Sequence, residues 1–99
     1  MIFISDQTYA EMAASLFSEL EDGRSFFNGK IEYDTQQFYS TLTCSLIVYH
    51  PDSVPPALPV LRIEKVIPVW WDYTTCVEGL LEPNDFSWTE FTRFFPCHA

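Results

Sequence analysis

The sequence predicts an α+β fold: an N-terminal amphipathic helix, a three- to four-stranded antiparallel sheet and a short C-terminal helix, with the helices on one sheet face. Three observations predict it. Apolar residues recur at helical spacing near the start of the chain, two long stretches alternate between apolar and polar residues, and a helix-capping signature opens a last aromatic-rich turn. The 99 residues fit one domain.

Tyr9, Met12, Ala13, Leu16, Phe17 and Leu20 line one face of a helix. Thr8 with Glu11 three residues later reads as a capping box, and Gly23 supplies a residue that can take positive φ at the helix end. A helix over residues 8–21 is expected, after a short extended or docking segment at residues 1–4.

Asn28-Gly29 is a strong hairpin signal, because a type I′ turn needs two residues tolerant of positive φ. It predicts a turn between a strand near 25–27 and another near 30–34. From Phe38 onward the even positions Leu42, Cys44, Leu46 and Val48 are apolar, whereas the odd positions carry Tyr39, Thr41, Thr43, Ser45, Ile47 and Tyr49. That period of two is a half-buried strand with its even face in the core. Pro51, Pro55, Pro56 and Pro59 then fix φ and remove donors, so this stretch reads as a rigid connector.

A further strand is expected over residues 60–74. Its odd positions, including Ile63, Ile67, Val69, Trp71 and Tyr73, form an apolar face interrupted by Lys65. Trp70 falls on the other face with Arg62, Glu64 and Asp72. Pro68 cannot donate to a ladder, so the strand lies at an edge there or bulges. An irregular connector over residues 74–83, around Gly79, follows. Ser87 and Glu90 form a second capping box, with Phe86 and Phe91 placed as a hydrophobic staple and Pro96 as the stop. The expected core comprises Met12, Leu16, Leu42, Cys44, Leu46, Ile63, Ile67, Val69, Trp71 and Phe91.

The chain carries 14 acids against five bases, a formal charge of −9. Direct nucleic-acid binding is not expected, since phosphates call for a basic patch. No apolar run is long enough to span a bilayer, and no basic residue precedes the first apolar segment, so neither a membrane span nor a signal peptide is expected. The three cysteines, Cys44, Cys76 and Cys97, are odd in number and contain no CxxC spacing, which speaks for a cytoplasmic protein rather than a disulfide scaffold. The excess charge is uneven. Residues 1–23 are net −5 and residues 72–99 net −4, while residues 24–71 balance.

Glu19, Glu21 and Asp22 crowd the end of the first helix, where the macrodipole disfavours negative charge. They form a candidate acidic patch. Like charge around such carboxylates raises their pKa values, so the melting temperature is expected to rise with added salt and on mild acidification.

No catalytic, cofactor or metal-binding motif stands in the sequence. Cys97-His98 could join Cys76 or His50 on a metal, but the spacing matches no zinc pattern. Cys44 and His50 lie about 20 Å apart along a strand and its end, too far to act together. Seventeen aromatic residues exceed what one small core needs. Trp70, Tyr39, Tyr49, Ile47 and Arg62 make up a candidate interaction face, because Trp, Tyr and Arg dominate protein interfaces. The expected function is therefore a non-enzymatic protein–protein interaction or regulatory module, with a protein partner or self-association. One alternative is an acidic nucleic-acid mimic that occupies a basic groove. A small hydrolase or metal-binding protein is the remaining one.

Overall fold

The computed structural model describes residues 1–50 and 63–96. Its elements run α1 (Asp6–Glu19), β1 (Phe26–Asp34), β2 (Tyr39–Tyr49), β3 (Lys65–Val77), β4 (Leu80–Glu82) and α2 (Trp88–Thr92). The four strands form an antiparallel meander in the order β1-β2-β3-β4. The expected proline connector, the start of the 60–74 strand, Arg62, Cys97 and His98 lie outside the described residues.

The apolar stripe of α1 is buried as its spacing predicts, from Tyr9 through Leu20. The helix starts earlier than expected, however. Ser5 is the N-cap, its hydroxyl accepting from the Thr8 backbone N–H at 3.2 Å, while Thr8 is buried in the first turns. The leading segment is pinned by the chain's other end. Ile2 N–H donates to the Pro83 carbonyl at 2.8 Å, Asp85 N–H donates to the Ile2 carbonyl at 3.1 Å, and Ile4 N–H donates to Asp85 Oδ1 at 2.7 Å.

The even face of β2 is the floor of the core, with Ser40, Leu42, Cys44, Leu46 and Val48 all buried. Phe27 and Ile31 of β1 sit beside Leu46 and Leu42, and Tyr73 of β3 beside Leu42. All join the α1 and α2 side chains in one cluster, so both helices cover the same sheet face.

The expected Asn28-Gly29 turn does not form. β1 runs through it, with Asn28 opposite Ser45 and Gly29 opposite Cys44, and Gly29 is not among the positive-φ glycines. Tertiary contacts explain the override. The Phe27 ring lies over Gly29, 3.0 Å from where a Cβ would stand, and Ser45 Oγ donates to Asn28 Oδ1 at 2.8 Å across the ladder. Here glycine permits a close approach within a strand instead of a turn. The β1–β2 reversal falls later, where Thr35 N–H donates to the Phe38 carbonyl at 2.9 Å.

The expected irregular connector at 74–83 is also corrected. β3 continues to Val77, reverses through Glu78-Gly79 and pairs Val77 with Leu80. Both loop residues have positive φ, 51° and 82°. This is the two-residue primed turn expected earlier in the chain, with glutamate where asparagine is preferred. A left-handed conformation costs an ordinary L-residue about 1–2 kcal/mol. Glu78→Asn is therefore expected to raise stability by about 1 kcal/mol, read as a higher urea midpoint at unchanged slope.

The register of β2 against β3 shifts once. Ser45 pairs with Trp70 but Leu46 pairs with Pro68, so Val69 is an extra, unpaired residue. The bulge anticipated near Pro68 is there, and along Lys65–Asp72 no strand pairs with the outer edge of β3 among the described residues. One inserted residue reverses which positions face the core. Beyond it Trp71, Tyr73 and Thr75 share the face of Cys44, Leu42 and Ser40; before it Val66 and Pro68 share that of Val48 and Leu46.

Three expected core residues are corrected accordingly. Ile67 turns to the solvent face and is 38% exposed, Val69 protrudes at the bulge and is 62% exposed, and Trp71 is half-covered at the sheet margin. Ile63 packs against the core but is only partly buried. Met12, Leu16, Leu42, Cys44, Leu46 and Phe91 are buried as expected.

The second capping box forms as read. Ser87 Oγ accepts from Glu90 N–H at 3.3 Å, and the Phe86 and Phe91 ring centroids stand 5.6 Å apart. Tyr9 ties the two helical regions together: its hydroxyl accepts from Ser87 N–H at 3.0 Å and its ring stacks on Phe94 at 5.8 Å. Phe86 also stacks on Tyr73 at 4.1 Å and 9°. Much of the aromatic content is thus spent fastening α2 to α1 and β3.

Candidate functional site

The bulge adds Ile67 to an apolar surface on the sheet face opposite the helices. Phe26, Ile47 and Ile67 are direct partners across β1, β2 and β3, forming one apolar row. The next row toward the sheet centre is Asn28, Ser45 and Trp70. On the outer side Tyr49 pairs with Lys65, whose ammonium stands 5.0 Å from the Tyr49 ring centroid. Phe26 is 54% and Trp70 53% exposed, and Ile47, Tyr49 and Ile67 are exposed as well. A monomer leaves single apolar residues on its surface routinely; five that adjoin across three strands form a patch.

Trp70, Ile47 and Tyr49 of the expected interaction face therefore come together. Tyr39 does not join them. It shares the face but lies ten residues from Tyr49 on the same strand, about 33 Å away by strand rise. There the Tyr39 hydroxyl beside Glu32, assisted by Lys30, holds the Glu32 carboxyl below its usual range. Tyr39 also lines an open groove of about 740 Å³ with Asp34, Phe38, Cys76 and Glu78, at the end of the sheet where the two hairpins turn. Arg62 lies outside the described residues. Glu64, expected beside Trp70, precedes the bulge by an odd number of residues and is replaced on that face by Lys65 and Ile67.

Phe26 and Ile67 escaped the sequence reading. Phe26-Phe27 on a strand places one ring on each face, a signal obscured by assigning the turn to Asn28-Gly29. A period of two extended across the bulge places Ile67 on the wrong face.

The three acids at the end of α1 are all exposed, but they are not equivalent. Asp22 Oδ2 lies 2.6 Å from Arg24 Nη2, and the Arg24 Nε and backbone N–H groups donate to the same carboxylate. The Arg24 hydrogen bonds hold the Asp22 pKa down to about 2. This is opposite in sign to the rise expected from like charge. A depressed folded-state pKa makes the pair's contribution complete above the ordinary 3.8 and lost as pH falls toward 2. An NMR titration of the Asp22 carboxyl is expected to show its midpoint near 2, and Arg24→Gln to return it toward 3.8. An unchanged midpoint in that variant would contradict the assignment.

Other expected chemistry is placed as follows. Cys44 is buried beneath the helices, and burial pushes its thiol up to about 11, which leaves it un-ionised near neutrality. His50 Nε2 donates to the Arg24 carbonyl at 3.0 Å. Among the described residues no cluster of three or more His, Cys, Asp or Glu side chains could hold a metal ion, and no helix is long and apolar enough to cross a membrane. No protein family, no curated protein and no solved structure matches the chain.

Proposed function

We propose that the chain is a cytoplasmic, non-enzymatic binding module that engages protein through the apolar end of the sheet's solvent face. The observation that carries this reading is the row Phe26–Ile47–Ile67 with Trp70 beside it, on the face that neither helix covers. Exposed aromatic and aliphatic anchors are the side chains whose burial contributes most to protein association. The polar residues around them, Asn28, Ser45, Lys65 and Asp72, fit a hydrogen-bonding rim. The nucleic-acid mimic draws less support, since Arg24 neutralises Asp22 and Arg93 pairs with Glu90 at 2.8 Å.

The test separates binding from folding. Ile67→Ser and Trp70→Ala together remove side chains that are 38% and 53% exposed, so they are expected to lower the unfolding free energy by no more than about 2 kcal/mol. Protein capture by the immobilised chain is expected to be lost with the pair of substitutions and to persist at high salt with the unaltered chain. A large loss of stability, or capture that salt abolishes, would overturn the reading.

A further inference from the structure

We propose that the occupant of this face is a second copy of the same chain, docked sheet to sheet with its strands reversed, so that Lys65 of each copy meets the partner's Asp72. The inference rests on the binding-module reading above and adds the identity of the partner.

The charge pattern of β3 carries it. On the solvent face this strand presents Lys65, then Ile67 and Trp70, then Asp72. A cation and an anion thus stand at opposite ends of the apolar pair, and Asp72 makes no ion pair among the described residues. A two-fold axis lying between the sheets, perpendicular to the strands and centred between Ile67 and Trp70, exchanges the two ends. It places each Lys65 over an Asp72 and each Trp70 over an Ile67. An axis parallel to the strands and lying over β3 would instead set Lys65 on Lys65 and Asp72 on Asp72. Charge therefore selects one self-complementary arrangement and penalises the other.

The formal charge of −9 does not oppose this contact. Its excess belongs to residues 1–23 and 72–99; of the ten acids there, Asp6, Glu11, Glu19 and Glu90 lie in the two helices on the opposite face of the sheet, and Asp72 is the one the contact itself uses. Sheets and helix layers pack about 10 Å apart, so the helices of the two copies would stand about 30 Å apart, roughly three Debye lengths at physiological salt. Among the described residues, the paired positions at the apolar end of the face hold one charge, Lys65.

Analytical ultracentrifugation over a range of protein concentrations tests this. The unaltered chain is expected to reach a dimer. Lys65→Glu and Asp72→Lys singly should each raise the dissociation constant by about tenfold or more, because the two-fold axis doubles every altered contact. The double variant, Lys65→Glu with Asp72→Lys, restores opposite signs and should recover the dimer. Circular dichroism of the monomers, with Lys65→Gln and Asp72→Asn as milder variants, keeps folding separate from association.

A chain that stays monomeric at every concentration overturns the proposal, as does a dimer indifferent to the single reversals or not rescued by the double. The broader reading is judged separately: if the monomeric chain still captures another protein and Trp70→Ala abolishes that capture, the face binds protein, but not a second copy of itself.

Discussion

Phe91→Ala lowers the free energy of unfolding by about 3–5 kcal/mol, the usual cost of emptying a large buried aromatic site. Phe91 is fully buried, and its ring centroid lies 4.9 Å from Phe95, 5.4 Å from Trp88, 5.6 Å from Phe86 and 6.2 Å from Tyr9. These neighbours belong to α1, α2 and the segments flanking α2, so truncation removes the side chain that all of them share. A domain of this size is stable by about 5–15 kcal/mol, so the variant sits near the limit of folding. Urea unfolding followed by tryptophan fluorescence measures it, since Trp88 edges onto the Phe91 ring. A loss below about 1 kcal/mol would show that α2 docks without contributing to the core.

Deletion of Val69 is expected to leave the faces of β3 unchanged, because its side chain is the most exposed of the β3 apolar residues and it has no partner on β2. Without the extra residue Pro68 joins Trp70, and their partners Leu46 and Ser45 are already consecutive, so a regular ladder keeps Lys65 and Ile67 on the solvent face and Val66 and Pro68 on the core side. Deletion should change stability by no more than about 1 kcal/mol, and Val69→Ala, which keeps the residue count, by no more than about 0.5 kcal/mol. Urea midpoints and amide exchange along β2 measure both. A loss of several kcal/mol on deletion would mean that the sheet requires the twist the bulge adds, and not only the alternation of its side chains.

What was legible in the sequence follows from how locally each feature is specified. The stripe of α1, the even face of β2 and the capping box of α2 are short-range patterns, and each appears where its residues place it. The Asn28-Gly29 turn failed because two tertiary contacts, the Phe27 ring over Gly29 and the Ser45–Asn28 hydrogen bond, outweigh a local preference. The Glu78-Gly79 turn was missed for the converse reason: glutamate is a poor left-handed residue, accepted where β3 and β4 meet. Proline at 68 announced the bulge but not which residue is extra, and every assignment of faces before it depends on that residue. Trp70, Ile47 and Tyr49 could therefore be placed on one face, whereas Ile67 could not.

The clasp between the chain's two ends has a consequence for synthesis. Residues 2–4 are translated well before their hydrogen-bond partners, Pro83 and Asp85. The apolar stripe of α1 likewise waits for Phe91 and Phe95. Neither can be satisfied until most of the sequence has been translated. Such sequence-distant closure slows folding and leaves an amphipathic helix uncovered meanwhile. Folding of this chain is therefore delayed until after translation of α2, and a nascent chain arrested before residue 83 should present the α1 stripe to any chaperone at hand.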